Sequence, residues 1–179
     1  MNDKVFEPKI ITFCCHFCAY AAADLAGSMR LQYPSGVRII RTPCTGRLEV
    51  EFYMRAFENG ADGVLIAGCL EGGCHFIDGN LFAKKRVNSI RTILEESGIE
   101  KDRLRMINVS AAGGISLVEK INEMVNTIKE LGPNPIRKIL TDLAENTKNL
   151  KSLIHANKLL LTKWIYNDSR SKKKNTGNI

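Results

Sequence analysis

Four short apolar runs alternate with four helix-periodic segments, and this alternation constrains the fold more than any other feature of the chain. Ile10-Ile11-Thr12-Phe13 is a β-favouring run, followed by an alanine-rich segment, Ala19 to Leu31, that reads as a helix. Tyr33-Pro34-Ser35-Gly36 signals a turn before a second strand, Val37 to Thr42. Leu48 to Asn59 reads as a helix stopped by Gly60. Gly63 to Gly68 is apolar throughout, as a parallel strand buried on both faces should be. In Leu81 to Ser97 the apolar positions Ala83, Val87, Ile90 and Leu94 share one helical face, and Gly98 follows. Leu104 to Val109 is a fourth strand, and Val118, Ile121, Val125 and Ile128 form a stripe on a last helix that ends at Gly132-Pro133. Strand–helix alternation of this kind builds right-handed βαβ units and a parallel sheet with helices on both faces. The fold class is therefore α/β: a four-stranded parallel sheet of flavodoxin-like order 2-1-3-4, with a long C-terminal helix added.

All six cysteines lie between Cys14 and Cys74, and most fall where strands end. Cys15 and Cys18 follow the first strand, Cys44 the second and Cys69 the third, with Cys74 five residues further on. The carboxyl ends of parallel strands share one edge of the sheet, where ligands bind. In the order 2-1-3-4 the three cysteine-bearing strands are neighbours, roughly 5 Å apart. Cys15-x2-Cys18 and Cys69-x4-Cys74 each place two sulfurs within reach of one metal centre, and plant-type [2Fe–2S] sites use the same separations in one contiguous motif. The candidate ligands are Cys15, Cys18, Cys44, Cys69 and Cys74, one more than a cluster needs. Cys14 alternates with Cys15 and points into the core as a small hydrophobe. Arg41 and Arg47 flank Cys44, where they would offset a thiolate-bound cluster or simply pair at the surface, and His75 is a candidate hydrogen-bond donor to a cluster sulfur or a ligand. The helix after Cys18 turns its positive end toward the thiolates. A thioredoxin-like dithiol at Cys15 and Cys18, and a structural zinc site, remain open on spacing alone.

Composition removes other classes. No apolar run spans a bilayer, and Met1 to Lys9 has no signal-peptide core, so no membrane is involved and a cytoplasmic location is expected. The net charge of +7 is carried by the C-terminal end: residues 1–132 hold 16 basic and 16 acidic side chains, whereas residues 133–179 hold 10 and 3. A nucleic-acid-binding core is therefore not indicated. Neither a dinucleotide Gly-x-Gly-x-x-Gly loop nor a Walker A loop is present.

Cys15-His16-Phe17-Cys18-Ala19-Tyr20-Ala21-Ala22-Ala23-Asp24-Leu25-Ala26-Gly27 resembles the opening motif of the delta subunit of methyl-viologen-reducing hydrogenase. So do Arg38-Ile39-Ile40-Arg41-Thr42-Pro43-Cys44-Thr45-Gly46-Arg47, Gly60 to Cys69, Gly73-Cys74-His75-Phe76 and Gly79-Asn80. The resemblance covers about residues 8–130. It implies a [2Fe–2S] protein that relays electrons between a hydrogenase or formate dehydrogenase and the flavin subunit of heterodisulfide reductase. Such proteins work in cytosolic electron-bifurcating complexes of methanogens and other anaerobes. The family's cysteine pattern falls on Cys15, Cys18, Cys44, Cys69 and Cys74. This chain departs from it at Leu70, where a histidine is common, at Gly73, where an acidic residue is, and near Gly113, where a glutamate is usual.

Beyond that stretch, Ile136, Leu140, Leu143, Thr147, Leu150, Ile154, Asn157, Leu161 and Trp164 step by four and three. This is a heptad seam carrying no charge. The expected organisation is an iron–sulfur α/β domain over 1–132, a helical extension over 133–168 that docks on a partner or on its own sheet, and a basic, disordered tail over 169–179.

Overall fold

A computed structural model describes residues 6–136. The heptad positions from Leu140 onward and the basic tail lie outside the described residues. The sheet has four parallel strands, β1 (Ile10–Cys15), β2 (Val37–Thr42), β3 (Gly63–Gly68) and β4 (Leu104–Asn108), in the order β2-β1-β3-β4. Ile10 of β1 stands opposite Val37 of β2 and Gly63 of β3, so the three strands start level and finish level. Their carboxyl ends therefore open on one edge, as the alternation of elements predicts.

Helices α1 (Ala21–Ser28) and α4 (Gly114–Leu131) cover one face, and α2 (Val50–Glu58) and α3 (Gly79–Glu96) the other. On the first face Leu65 and Ala67 of β3 meet Leu117, Ile121, Met124 and Ile128 of α4. On the second Val64 and Ile66 meet Tyr53 and Phe57 of α2 and Val87, Ile90 and Leu94 of α3. Every residue of β3 is buried. Each large aliphatic side chain removed from water contributes about 1.5–3 kcal/mol, so the two layers on this central strand hold the molecule together. The edge strand β2 differs from the expected two-sided cover: Arg38 and Ile40 point to the α2 side and are exposed.

Two helix boundaries depart from the periodicity for local reasons. α1 stops at Ser28, three residues before Leu31, because Arg30 adopts φ +56° and Leu31 N–H reaches back to the Ala26 carbonyl at 2.9 Å. α2 starts at Val50, two residues after Leu48, because Thr45–Arg47 first form a turn of 3-10 helix.

At the amino edge of the sheet a polar knot fixes the chain that leaves α4. Arg103 is fully buried, yet it donates to the carbonyls of Asp62 (3.1 Å), Gly132 (2.9 Å), Leu131 and Pro133 and to the Glu100 carboxylate. These bonds hold Glu100 below the usual carboxylate range. Asp62 accepts from the backbone N–H of Lys9 and of Asn134, each at 2.9 Å. Asn134, also buried, donates to the Ala61 carbonyl at 2.8 Å. Residues 133–136 are thus built into the α/β domain.

Candidate metal centre

The site begins where β1 ends. After Cys15 the chain makes one π-helical turn, His16–Tyr20, before α1 starts. Such turns insert an extra residue per loop and are common at functional sites. Here the turn carries Cys18 back over the strand end. Cys69, one residue past β3, meets it from the neighbouring strand. The sulfurs of Cys15, Cys18 and Cys69 all lie within 4.8 Å of one another, and Cys15 Sγ to Cys69 Sγ is 3.7 Å. The carbonyl of Cys69 is clamped by Asn80 Nδ2 at 3.1 Å and by Asn108 Nδ2, so the backbone that presents this thiol is fixed from both α3 and β4.

Cys44 and Cys74 form a second group. Cys44 follows β2, and its sulfur accepts from the Gly46 N–H at 3.4 Å. Cys74 sits in a tight turn closed by Ile77 N–H to the Cys74 carbonyl at 3.0 Å, with Ile77 at φ +62°. Both sulfurs lie against Gly79 at the start of α3: a Cβ there would stand 2.6 Å from Cys44 Sγ and 3.4 Å from Cys74 Sγ. Cys44 senses the charge of both Cys74 and Cys15. Gly79 in turn meets Gly46, whose own Cβ would lie 2.6 Å from the Gly79 carbonyl oxygen. Only two facing glycines allow α3 to approach the Cys44 loop this closely. The five thiols therefore form a triad and an adjoining pair.

Their electrostatics follow from burial and mutual hydrogen bonding. The Cys15 thiol is lowered to about 5, chiefly by the hydrogen bond from Cys18, with the N–H groups of Phe17 and Cys18 adding to it. Cys18 is pushed up, first by that same bond and then by burial. Burial raises Cys44 and Cys69, opposed at Cys44 by the Gly46 N–H and at Cys69 by the Cys18 thiol and the His75 N–H. Cys14, fully buried in the core as alternation predicts, is raised to about 12 by burial.

The remaining sequence candidates take different places. His75 points its ring at Phe17, stacked at 3.7 Å between centroids and 12° between planes, with Phe76 edge-on to both. What it offers to sulfur is its backbone N–H, to Cys69. Arg41 lies over the Tyr20 ring at 5.5 Å. Arg41 and Arg47 are both exposed, and among the described residues neither makes an ion pair. The clamps Asn80 and Asn108 and the facing glycines Gly46 and Gly79 are absent from the sequence-based site. Gly79-Asn80, five residues past Cys74 at a helix start, is the signal that marked them.

A cage of five thiols fits thiophilic metal chemistry, and the soft donor set suits iron–sulfur or zinc. Comparison with known proteins narrows the setting. The family model for methyl-viologen-reducing hydrogenase, delta subunit, matches residues 10–132. The chain belongs to this family. The vhu iron-sulfur subunit of the F420-non-reducing hydrogenase of Methanocaldococcus jannaschii is 46% identical over 131 residues, which are 73% of this chain and 98% of that protein. The corresponding iron-sulfur subunit of the F420-non-reducing hydrogenase of Archaeoglobus profundus is 44% identical over 131 residues, 73% and 96% of the two chains. A third relative is much longer. It is a subunit of the ferredoxin:CoB-CoM heterodisulfide reductase of Methanosarcina mazei, in which 126 residues are 44% identical, 70% of this chain but 16% of that one. The delta-subunit match thus takes in the whole described sheet and every thiol of the site. No helix among the described residues is long and apolar enough to cross a membrane.

Proposed function

We propose that this delta-subunit family member is an electron-transfer subunit in which four of the thiols Cys15, Cys18, Cys44, Cys69 and Cys74 hold a [2Fe–2S] cluster. The observation that carries the reading is the arrangement of the sulfurs as a triad plus a pair. Four ligands of one zinc ion crowd around a single point. A triad beside a pair suits two metal positions better, with Cys44 and Cys74 on one and two triad members on the other. The thiol left over then belongs to the triad.

Such a cluster supplies a one-electron donor and acceptor. The chain's own residues set how easily it takes charge. N–H groups of Phe17, Cys18, Gly46 and His75 aimed at sulfur favour the more negative, reduced form, whereas burial disfavours it. The stacked rings of Phe17 and His75 line a cavity beside Cys18 and Cys69, and Cys74, the least buried thiol, lies toward the surface.

The electrons are proposed to pass between a hydrogenase or formate dehydrogenase and the flavin subunit of heterodisulfide reductase, in a cytoplasmic, electron-bifurcating complex. The relatives support a hydrogenase and a heterodisulfide reductase among these partners. Several are hydrogenase iron-sulfur subunits by name, and in the Methanosarcina protein the same domain is covalently part of a heterodisulfide reductase chain. The uncharged heptad seam from Leu140 to Trp164 is proposed to dock on a partner in that complex.

A dithiol oxidoreductase is the second reading, favoured by the lowered Cys15 thiol beside Cys18. Both side chains are buried, whereas an exchanging thiolate must be reached by its substrate. Electron paramagnetic resonance tests the choice. A signal that appears on one-electron reduction of the anaerobically purified protein supports the cluster. A protein silent in this measurement that reduces disulfides with Cys15 and Cys18 refutes it.

A further inference from the structure

The α2-side face of β2, left open by the helices, forms one wall of a groove of about 930 Å³. Its floor is apolar: Ile11, Phe13, Ile40, Leu48 and Phe52 line it, and Ile40 and Phe52 are 41% and 51% exposed. Its rim is cationic, with Lys9, Arg38, Arg47 and Arg55 against the single carboxylate of Glu7. Of these rim cations only Arg55 is in an ion pair among the described residues, with Glu51. The groove follows the strand direction, from Lys9, Gly60 and Ala61 at the amino edge to Thr42, Pro43 and Cys44 at the thiol edge. A six-residue strand is about 20 Å long, the length of a helix of roughly 13 residues.

We propose that this groove is the docking site for an amphipathic helix of a partner protein, apolar on one face and acidic along its flanks. Charge decides among the occupants. The chain's own residues 137–179 carry 10 basic and 3 acidic side chains, which the cationic rim repels. A second copy of the domain brings the same cationic rim to the contact. An acidic helix satisfies the unpaired arginines while its apolar face covers Ile40 and Phe52, and complementary charge of this kind sets partner choice. A partner seated there reaches the loop that carries Cys44. The inference stands on the groove alone, whatever metal the thiols hold.

The test uses the full-length protein and fluorescein-labelled designed peptides of about 14 residues. One has a leucine seam with glutamate flanks, the second the same seam with lysine flanks, and the third the acidic composition in scrambled order. Fluorescence anisotropy should show binding of the acidic amphipathic peptide at least about tenfold tighter than of the other two, weakening as salt rises. Ile40→Ser with Phe52→Ser should cost about tenfold or more. Arg38→Glu with Arg55→Glu should transfer the preference to the lysine peptide. Circular dichroism confirms that both double variants fold, and single substitutions replace either that does not. Equal binding of the acidic and basic peptides, or indifference to the Ile40 and Phe52 substitutions, overturns the proposal. So does binding that appears only after residues 137–179 are removed, or that is competed by self-association of the chain. Either result assigns the groove to this protein itself.

Discussion

Gly79→Ala probes the site with a single methyl group. Gly79 opens α3, and a Cβ there would stand 2.6 Å from Cys44 Sγ and 3.4 Å from Cys74 Sγ. Non-bonded heavy atoms rest at about 3.5–4.0 Å, so the methyl overlaps the Cys44 sulfur by about 1 Å. That sulfur ends a side chain with one rotatable bond, and swinging it aside relieves the overlap without moving backbone. The expected cost in stability is at the low end of overpacking, about 1 kcal/mol, or a fall in Tm of about 3–5 °C for a domain of this size. The cost to metal binding is far larger, because ligand positions tolerate only about 0.2 Å. Gly79→Ala should therefore purify folded but depleted of iron, with its visible absorption weakened. Gly27→Ala is the control. Nothing lies within 4 Å of a Cβ at that exposed helical position, and alanine should stabilise by about 0.5–1 kcal/mol while leaving the metal untouched. Circular dichroism melts and iron content per chain measure both. A Gly79→Ala protein with a full iron complement and unchanged spectrum would refute the convergence of Cys44 and Cys74 at this helix start.

Other substitutions separate the site from the fold. Cys14→Ser should keep the visible spectrum and lower stability by about 1–3 kcal/mol, because it buries a hydroxyl in apolar surroundings; a bleached protein would show that Cys14 is a ligand. Arg103→Leu should destabilise by about 1–3 kcal/mol, since the buried carbonyls of Asp62, Leu131 and Gly132 lose their donor. Its metal content when folded should be normal, because the knot lies at the opposite edge of the sheet. Removal of residues 137–179 should leave metal content intact and weaken co-purification with hydrogenase and reductase subunits; unchanged co-purification would reject the assembly role.

Much of this arrangement was legible in the residues themselves. The strand order and the shared edge of Cys15, Cys44 and Cys69 follow from alternating elements and the rules of parallel sheets. Cys14 is buried because neighbouring residues of a strand face opposite ways. What escaped is what sequence distance hides. The π-turn that folds Cys18 over Cys15 has no periodicity signature, because it is a single turn. The approach of Gly46 to Gly79 joins segments more than thirty residues apart, and each glycine alone reads as an ordinary turn or helix-start residue. Arg103 sits in the polar run Glu100-Lys101-Asp102-Arg103 and reads as surface, yet the carbonyls at the amino edge draw it fully inside. The open face of β2 depends on where α2 begins, and that is set by the Thr45–Arg47 turn beside Cys44 rather than by the apolar pattern.

Quantifying iron, acid-labile sulfide and zinc on the same anaerobically purified sample puts the central claim to its most direct test. The account predicts a coloured protein with about two irons and two sulfides per chain and no stoichiometric zinc. A colourless protein holding one zinc, or no metal at all, would contradict it.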